Sequence, residues 1–258
     1  MSALKTWFEN LFFGGSRYKA VTVIGSGGKT SLIWRLAASF AEQPDRKILV
    51  TPTTKMFVPA PGTKLCDHYF GSGVLPPDPV PGVSLAGIFN EETKKLEALP
   101  PAELEKNVSS YDLVLIEGDG SGGLPLKAWA DYEPVVPFFT DLTIGMLPLA
   151  PIGKPVSESL IHRLPLFIEL TGASPGEPIK AEHILRLITG RQVKPGAAPL
   201  PGLFAKARGK KLLFFNQAEN DNTLTQAREL AGLLPQRFRE GLHGIIAGSV
   251  RDDWVAEL

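Results

Sequence analysis

Two groups of residues have types and spacing suited to chemistry on phosphate. The first is the run Gly25, Ser26, Gly27, Gly28, Lys29, Thr30 and Ser31, which directly follows four β-formers at residues 21–24. Glycines permit positive φ and close approach, so such a turn can wrap backbone N–H groups around an anion at a helix N-terminus. Lys29 would then reach the β- and γ-phosphates as a point charge, and the Thr30 hydroxyl would enter a Mg2+ shell. The second group is Glu117 and Asp119, which close the apolar stretch YDLVLIE at residues 111–117. In a phosphoryl-transfer site one such acid holds Mg2+ through water and another orients the attacking water.

The glycine run departs from the spacing GxxxxGK[ST], because position 23 is Val23. What remains is GxxGK[ST], a shorter loop of the kind found in the peptidoglycan Mur ligases. A plain strand-to-helix turn carrying an exposed lysine is the alternative reading.

These residues need a strand before each of them and a helix after the glycines. The pattern predicts a strand at 21–24, then a helix from Lys29 to about Glu42 that ends at Pro44 and Asp45. A second strand, 47–51, leads into Thr51, Pro52, Thr53, Thr54 and Lys55. There Thr53 and Thr54 either contact a phosphate or the metal's water shell, or form a Ser/Thr turn. Residues 59–82 are rich in Pro and Gly, residues 83–89 and 93–99 alternate like a hairpin, and a short helix opens near Ala102. The 111–117 stretch reads as a buried parallel strand beside the glycine-loop strand.

Further along, 141–147 reads as a strand, 157–170 as a helix distorted by Pro165, and 181–188 as a helix, before a Pro/Gly-rich connector at 195–202. The strand 210–217 ends in Asn216, Gln217, Ala218 and Glu219. Asn216 with Glu219 is either a weakened form of the AsnLysxAsp guanine motif or an ordinary loop. A capped helix from Asn222 and a strand at 244–248 complete the series. Alternation of this kind gives an α/β fold with a mainly parallel sheet and helices on both faces, similar to P-loop NTPases. It is expected as a single nucleotide-binding domain over 1–258, with an N-terminal helix in 1–19, an insertion with a hairpin at 59–99 and a helical cap at 157–201.

Composition narrows the function classes. At 258 residues and 43% hydrophobic content the chain can bury a full core. Lys plus Arg number 27 and Asp plus Glu number 27, so no basic excess points to nucleic acid or an anionic membrane. The single cysteine, Cys66, has no partner for a disulfide or a zinc site, which fits a reducing cytoplasm. Trp7, Phe8, Leu11, Phe12 and Phe13 form an apolar helix face interrupted by Glu9 and Asn10, so packing rather than secretion is expected of it. No run of eighteen apolar residues suggests a membrane span.

The motifs GSGGKTS, TPTTKMFVP and above all IEGDGSGGLPLKAWADYEPVVP together resemble the YqeC family. The resemblance continues through GKPVSE at 153–158 and through His162 and Arg163, and its most specific block is 117–137. In relatives the acidic motif reads GluAlaAspGly, so Gly118 is a small departure. The resemblance implies an accessory protein in maturation of a selenium-dependent molybdenum hydroxylase, handling either selenium or the molybdopterin cofactor. It also implies that Lys127, Asp131 and Glu133 could contact a second ligand. From the residues alone each reads as a loop charge, and His162 reads either as structural or as catalytic.

Three functions remain open on this reading. One is a nucleoside triphosphatase using Mg2+ with ATP or GTP, with Lys29, Glu117 and Asp119 as its catalytic residues. Another is a small-molecule kinase or ligase, and a third is a non-catalytic carrier for the cofactor or the hydroxylase.

Overall fold

The computed structural model describes residues 2–14, 18–60, 63–192 and 198–258. In chain order its elements are α1 (Ala3–Phe13), β1 (Ala20–Gly25), α2 (Lys29–Ala41), β2 (Lys47–Pro52), β3 (Lys55–Phe57), β4 (His68–Phe70), β5 (Gly82–Ala86), β6 (Ile88–Asn90) and β7 (Lys95–Glu97). They continue with α3 (Pro101–Asn107), β8 (Leu113–Glu117), β9 (Leu126–Lys127), β10 (Leu142–Pro148), β11 (Ile161–His162), α4 (Leu164–Thr171) and α5 (Ala181–Thr189). The last are β12 (Lys210–Asn216), α6 (Asp221–Leu233), α7 (Gln236–Glu240), β13 (Gly244–Ser249) and β14 (Trp254–Glu257).

Nine strands form one sheet in the order β14-β13-β12-β10-β1-β8-β2-β5-β4, parallel throughout except for the antiparallel edge pair β13–β14. The central strands β1, β8 and β10 are buried along their whole length, which is why they read as continuous apolar runs rather than alternating ones. From β1 the chain runs outward through β2 and β5, whereas from β10 it runs the opposite way through β12 and β13. The crossovers diverge between β1 and β10, so the carboxyl ends of these strands frame the crevice where open α/β sheets bind ligands.

Helices cover both faces. On β12, Leu212 and Phe214 join one core while Leu213 and Phe215 join the other, the period-two alternation of a strand buried on both sides. Helices α1 and α2 share the first core, where the Phe12 and Phe40 rings lie 5.5 Å apart. Thus α1 packs beside α2 in the helical layer over this face and against the edge strand β14. Helices α4, α5 and α6 share the second core, and α3 packs with Val114 and Ile116 in a third.

Two expectations change. Residues 82–86 do not form a hairpin arm: they add to the main sheet as β5, parallel to β2, and β4 extends the same edge. The hairpin is β6–β7, which β3 joins to make a small antiparallel sheet. Nor do α4 and α5 cap the site. Phe167 and Leu187 place them in the second core, and the helix expected at 157–170 starts only at Leu164, with Pro165 in its first turn. Within the proline- and glycine-rich stretches, Pro61 and Gly62, and the connector residues Pro195, Gly196 and Ala197, lie outside the described residues. Among the described residues no helix is long and apolar enough to cross a membrane.

Candidate functional site

The turn between β1 and α2 depends on its glycines. Gly25, Gly27 and Gly28 have φ of +97°, +74° and +121°, a region that side chains disfavour. A Cβ at these positions would collide with the Met146 carbonyl, the Pro148 ring and the Asn216 amide, respectively. Neighbouring strands therefore press on the loop from below. Asn216 also donates to the Gly27 carbonyl at 2.7 Å and accepts from the Val250 amide at 3.0 Å, tying the loop to the ends of β12 and β13. Among the described residues no side chain caps the N-terminus of α2, so its first-turn amides and the positive end of its dipole are left for a ligand.

Lys29 is buried and folded back. Its Nζ donates to the Gly25 carbonyl at 2.7 Å and lies 3.3 Å from Asp119 Oδ1 and 3.8 Å from Glu117 Oε1. The β1–β8 register puts Glu117 opposite Val23, at the carboxyl end of the neighbouring strand. Its Oε2 accepts the Thr30 hydroxyl at 2.9 Å. Burial pushes the Glu117 carboxyl above its ordinary value, with Lys29 and Thr30 opposing that shift.

Asp119 is used differently. It is fully buried, and its carboxylate accepts the Gly25 amide at 3.0 and 3.1 Å and the Trp129 indole N–H at 2.7 Å. Lys127 Nζ approaches it to 3.3 Å, and the same ammonium donates to Glu133 Oε2 at 2.8 Å and to the Gly120 carbonyl at 2.6 Å. Arg163 binds that Glu133 oxygen as well, and its other terminal nitrogen donates to the Tyr132 hydroxyl at 3.0 Å. Burial alone would raise the Glu133 carboxyl, but the hydrogen bonds from Arg163 and Lys127 outweigh it and hold the group below the usual range.

The loop opens on a cavity of about 910 Å3. One wall is the glycine turn with Lys29, Thr30, Ser31 and Glu117. A second is Thr54 to Phe57 with Lys95 and Glu97. The wall facing the glycine turn holds Gly120 to Pro125, Tyr132, Glu133, Lys154 and His162. Thr54 Oγ1 is buried and has no hydrogen-bond partner among the described residues. Burial, reinforced by Arg163 and Lys127, lowers the His162 imidazole from its ordinary value.

Of the residues singled out from sequence, the cavity brings together Gly27, Gly28, Lys29, Thr30, Ser31, Thr54, Glu117, Glu133 and His162. Gly25 and Ser26 lie beneath the loop, where Ser26 N donates to the Met146 carbonyl at 3.0 Å. The Thr53 hydroxyl donates to the Val135 carbonyl at 2.7 Å and binds loop to loop. Asp119 and Lys127 face inward, Asp131 is exposed outside the cavity, and Glu219 pairs with Arg251 at 3.0 Å away from it. Sequence reading did not assign a place to Trp129, Tyr132, Lys154 or Gln217. Trp129 and Tyr132 sit inside the 117–137 block, which was the available signal. Gln217, at φ +64° just past β12, lines the cavity where Asn216 does not.

Comparison with known proteins falls on the same region. The family model described as YqeC protein matches residues 21–165, which span the glycine turn, both acids and the facing wall. A protein of Escherichia coli (strain K12), named "Uncharacterized protein YqeC", is 29% identical over 181 residues, covering 67% of this chain and 68% of the relative. No solved structure matches. With more than half of its length matched by the model, the chain belongs to the YqeC family.

Proposed function

We propose that this chain is a Mg2+-dependent P-loop protein that binds and hydrolyses a nucleoside triphosphate, ATP or GTP. Following the resemblance of its motifs, we propose that it serves the maturation of a selenium-dependent molybdenum hydroxylase, with that enzyme or a molybdopterin or selenium species as its partner. The observation that carries the nucleotide reading is the uncapped N-terminus of α2, which opens onto the cavity with Lys29 and the Thr30–Glu117 pair beside it. The direct pairing of β8 with β1 supports it, because it sets the acid next to the phosphate loop.

The donor chemistry fits Mg2+. Thr30 Oγ1 and Glu117 Oε2 are two oxygens within 2.9 Å of each other, and Mg2+ is ordinarily held by one or two protein groups with phosphates and waters completing the shell. Among the described residues no three His, Cys, Asp or Glu side chains are grouped to hold a metal, so the remaining oxygens would come with the nucleotide. The ion, when bound, would neutralise charge developing on the phosphates. Lys29 would exchange the Gly25 carbonyl for phosphate oxygens, and the α2 amides would hold the same group. A small-molecule kinase is the second reading. It is favoured by the facing wall of Tyr132, Glu133 and His162, which phosphate binding alone does not require.

Titration calorimetry of the wild-type protein with ATP and GTP, each with and without Mg2+, tests the reading. One-site binding that tightens with Mg2+ is expected. No heat from either nucleotide at millimolar concentration would overturn it, and a phosphorylated small-molecule product would favour the kinase.

A further inference from the structure

We propose that His162 is the general base that takes the proton from the water attacking the terminal phosphoryl group of the bound nucleotide, a role that rests on the triphosphatase reading above. The two-stranded ladder β9–β11 sets its place. Ile161 pairs with Leu126 and His162 with Lys127, and both apolar partners are buried. Lys127 Nζ is 3.3 Å from Asp119, and Asp119 is 3.3 Å from Lys29 Nζ. Two ion-pair contacts thus connect the residue paired with His162 to the lysine of the phosphate loop.

The imidazole lines the cavity and lies against Gly122, where a Cβ would come within 3.2 Å of Nδ1. Among the described residues neither ring nitrogen is engaged in a hydrogen bond, so a lone pair is available to a ligand. The other basic groups nearby are committed. Glu133 takes two cations on one oxygen, Asp119 holds Gly25 and Trp129, and Glu117 takes the Thr30 hydroxyl. A carboxylate held by two cations is a weak base, whereas a neutral imidazole suits proton abstraction near neutral pH. The charges that act on the ring are Arg163 beside it, Lys127 on β9, and the carboxylates Glu133 and Asp119. Burial, with the two cations, outweighs the carboxylates and lowers the imidazole from its ordinary value.

The step balances. The water oxygen forms a bond to the γ-phosphorus as His162 accepts its proton, the bond from phosphorus to the bridging oxygen breaks, and nucleoside diphosphate leaves with that electron pair. His162 then returns the proton to inorganic phosphate or solvent.

The test is single-turnover cleavage of Mg·ATP and Mg·GTP, with protein in excess, by wild type and by His162→Gln, alongside calorimetric binding of the same nucleotides. The glutamine should leave affinity within about threefold and slow cleavage roughly 10²- to 10⁴-fold. At saturating protein the wild-type rate should rise with pH along a limb below 6.5, the ordinary imidazole value, and the variant should lack that limb. Added imidazole should restore part of the rate to His162→Ala. An unchanged rate or an unchanged pH limb in His162→Gln would overturn the role. So would wild-type cleavage no faster than the solvent background while nucleotide binding persists, an outcome that leaves the binding reading standing. Absence of binding itself would remove both.

Discussion

At the glycine-turn wall the polar groups come from two hydrogen-bonded strand ends, Gly25 of β1 and Glu117 of β8, and from the first turn of α2. At the facing wall they come from loops and from the short ladder β9–β11, which meet through the charges of Lys127, Glu133 and Arg163. The first wall is shaped by backbone geometry, so three positive-φ glycines and the register of two strands suffice to build it. The second is shaped by pairing of buried charges, so each member depends on the others. Asp119 belongs to both. Its carboxylate fastens the first amide of the turn and also receives Lys127 from the facing wall.

This difference can be broken most sharply at Lys127. Replacing it with methionine leaves Asp119 without one cation and Glu133 with Arg163 alone, both in buried surroundings. Breaking a buried pair from one side costs about 3–5 kcal/mol, so urea unfolding of Lys127→Met should show a loss of that size. A loss below about 1 kcal/mol would put the network among weak surface pairs.

Asp119→Asn is a gentler test of the shared residue. The amide oxygen can still accept from Gly25, but its NH2 group would meet the Trp129 indole donor and the Lys127 ammonium. A buried donor left unmatched costs about 1–3 kcal/mol, readable in the same unfolding experiment. The Trp129 emission should shift with it.

On the glycine-turn wall, Glu117→Gln should cost less stability than Lys127→Met, because the amide oxygen can keep the Thr30 contact and Lys29 keeps Asp119 at 3.3 Å. It should instead weaken Mg2+-dependent nucleotide binding. A charge-assisted contact is worth about 1.5–3 kcal/mol, so affinity for the Mg2+ complex should fall about 10- to 100-fold by calorimetry, with little change in the absence of the ion.

The smallest effect concerns acid stability at the facing wall. The Glu133 carboxyl is depressed in the folded protein, so its contribution is present above the ordinary carboxylate range and is lost as pH falls through the depressed folded value. Melting temperature measured downward from pH 5 should fall more steeply for wild type than for Glu133→Gln. Parallel curves would show that the ion pairs add no pH-dependent stability.

The same division explains what the sequence revealed. The helix read from Lys29 to about Glu42 ends at Ala41, and the strand read at 47–51 is Lys47–Pro52, because apolar runs and glycine punctuation are local signals. Glu117 was legible for the same reason, since it closes an apolar run, although its place beside the loop comes from the distant pairing of β8 with β1. By contrast, residues 83–89 looked like one hairpin arm. Only β5, at residues 82–86, pairs with β2, in parallel and across more than thirty residues, and nothing local separates it from Ile88 and Phe89, which do form a hairpin arm. Asp119 carries no mark that separates an acid facing the cavity from one facing Gly25 and Trp129, since that orientation depends on residues ten and ninety-four positions away. Asn216 is comparable. Its type and strand-end position suggested a nucleobase contact, yet its amide serves the Gly27 carbonyl and the Val250 N–H.

The proposed nucleotide site depends on phosphate binding by the turn at residues 25–31 through Lys29. Calorimetry of Lys29→Ala beside wild type, with whichever of ATP and GTP binds in the presence of Mg2+, tests it most directly. Losing a buried charge-assisted donor should weaken binding at least about 10-fold and up to about 100-fold, with the fold intact by circular dichroism. Equal affinity in the variant and the wild type would contradict the account, because the nucleotide would then sit somewhere other than against this loop.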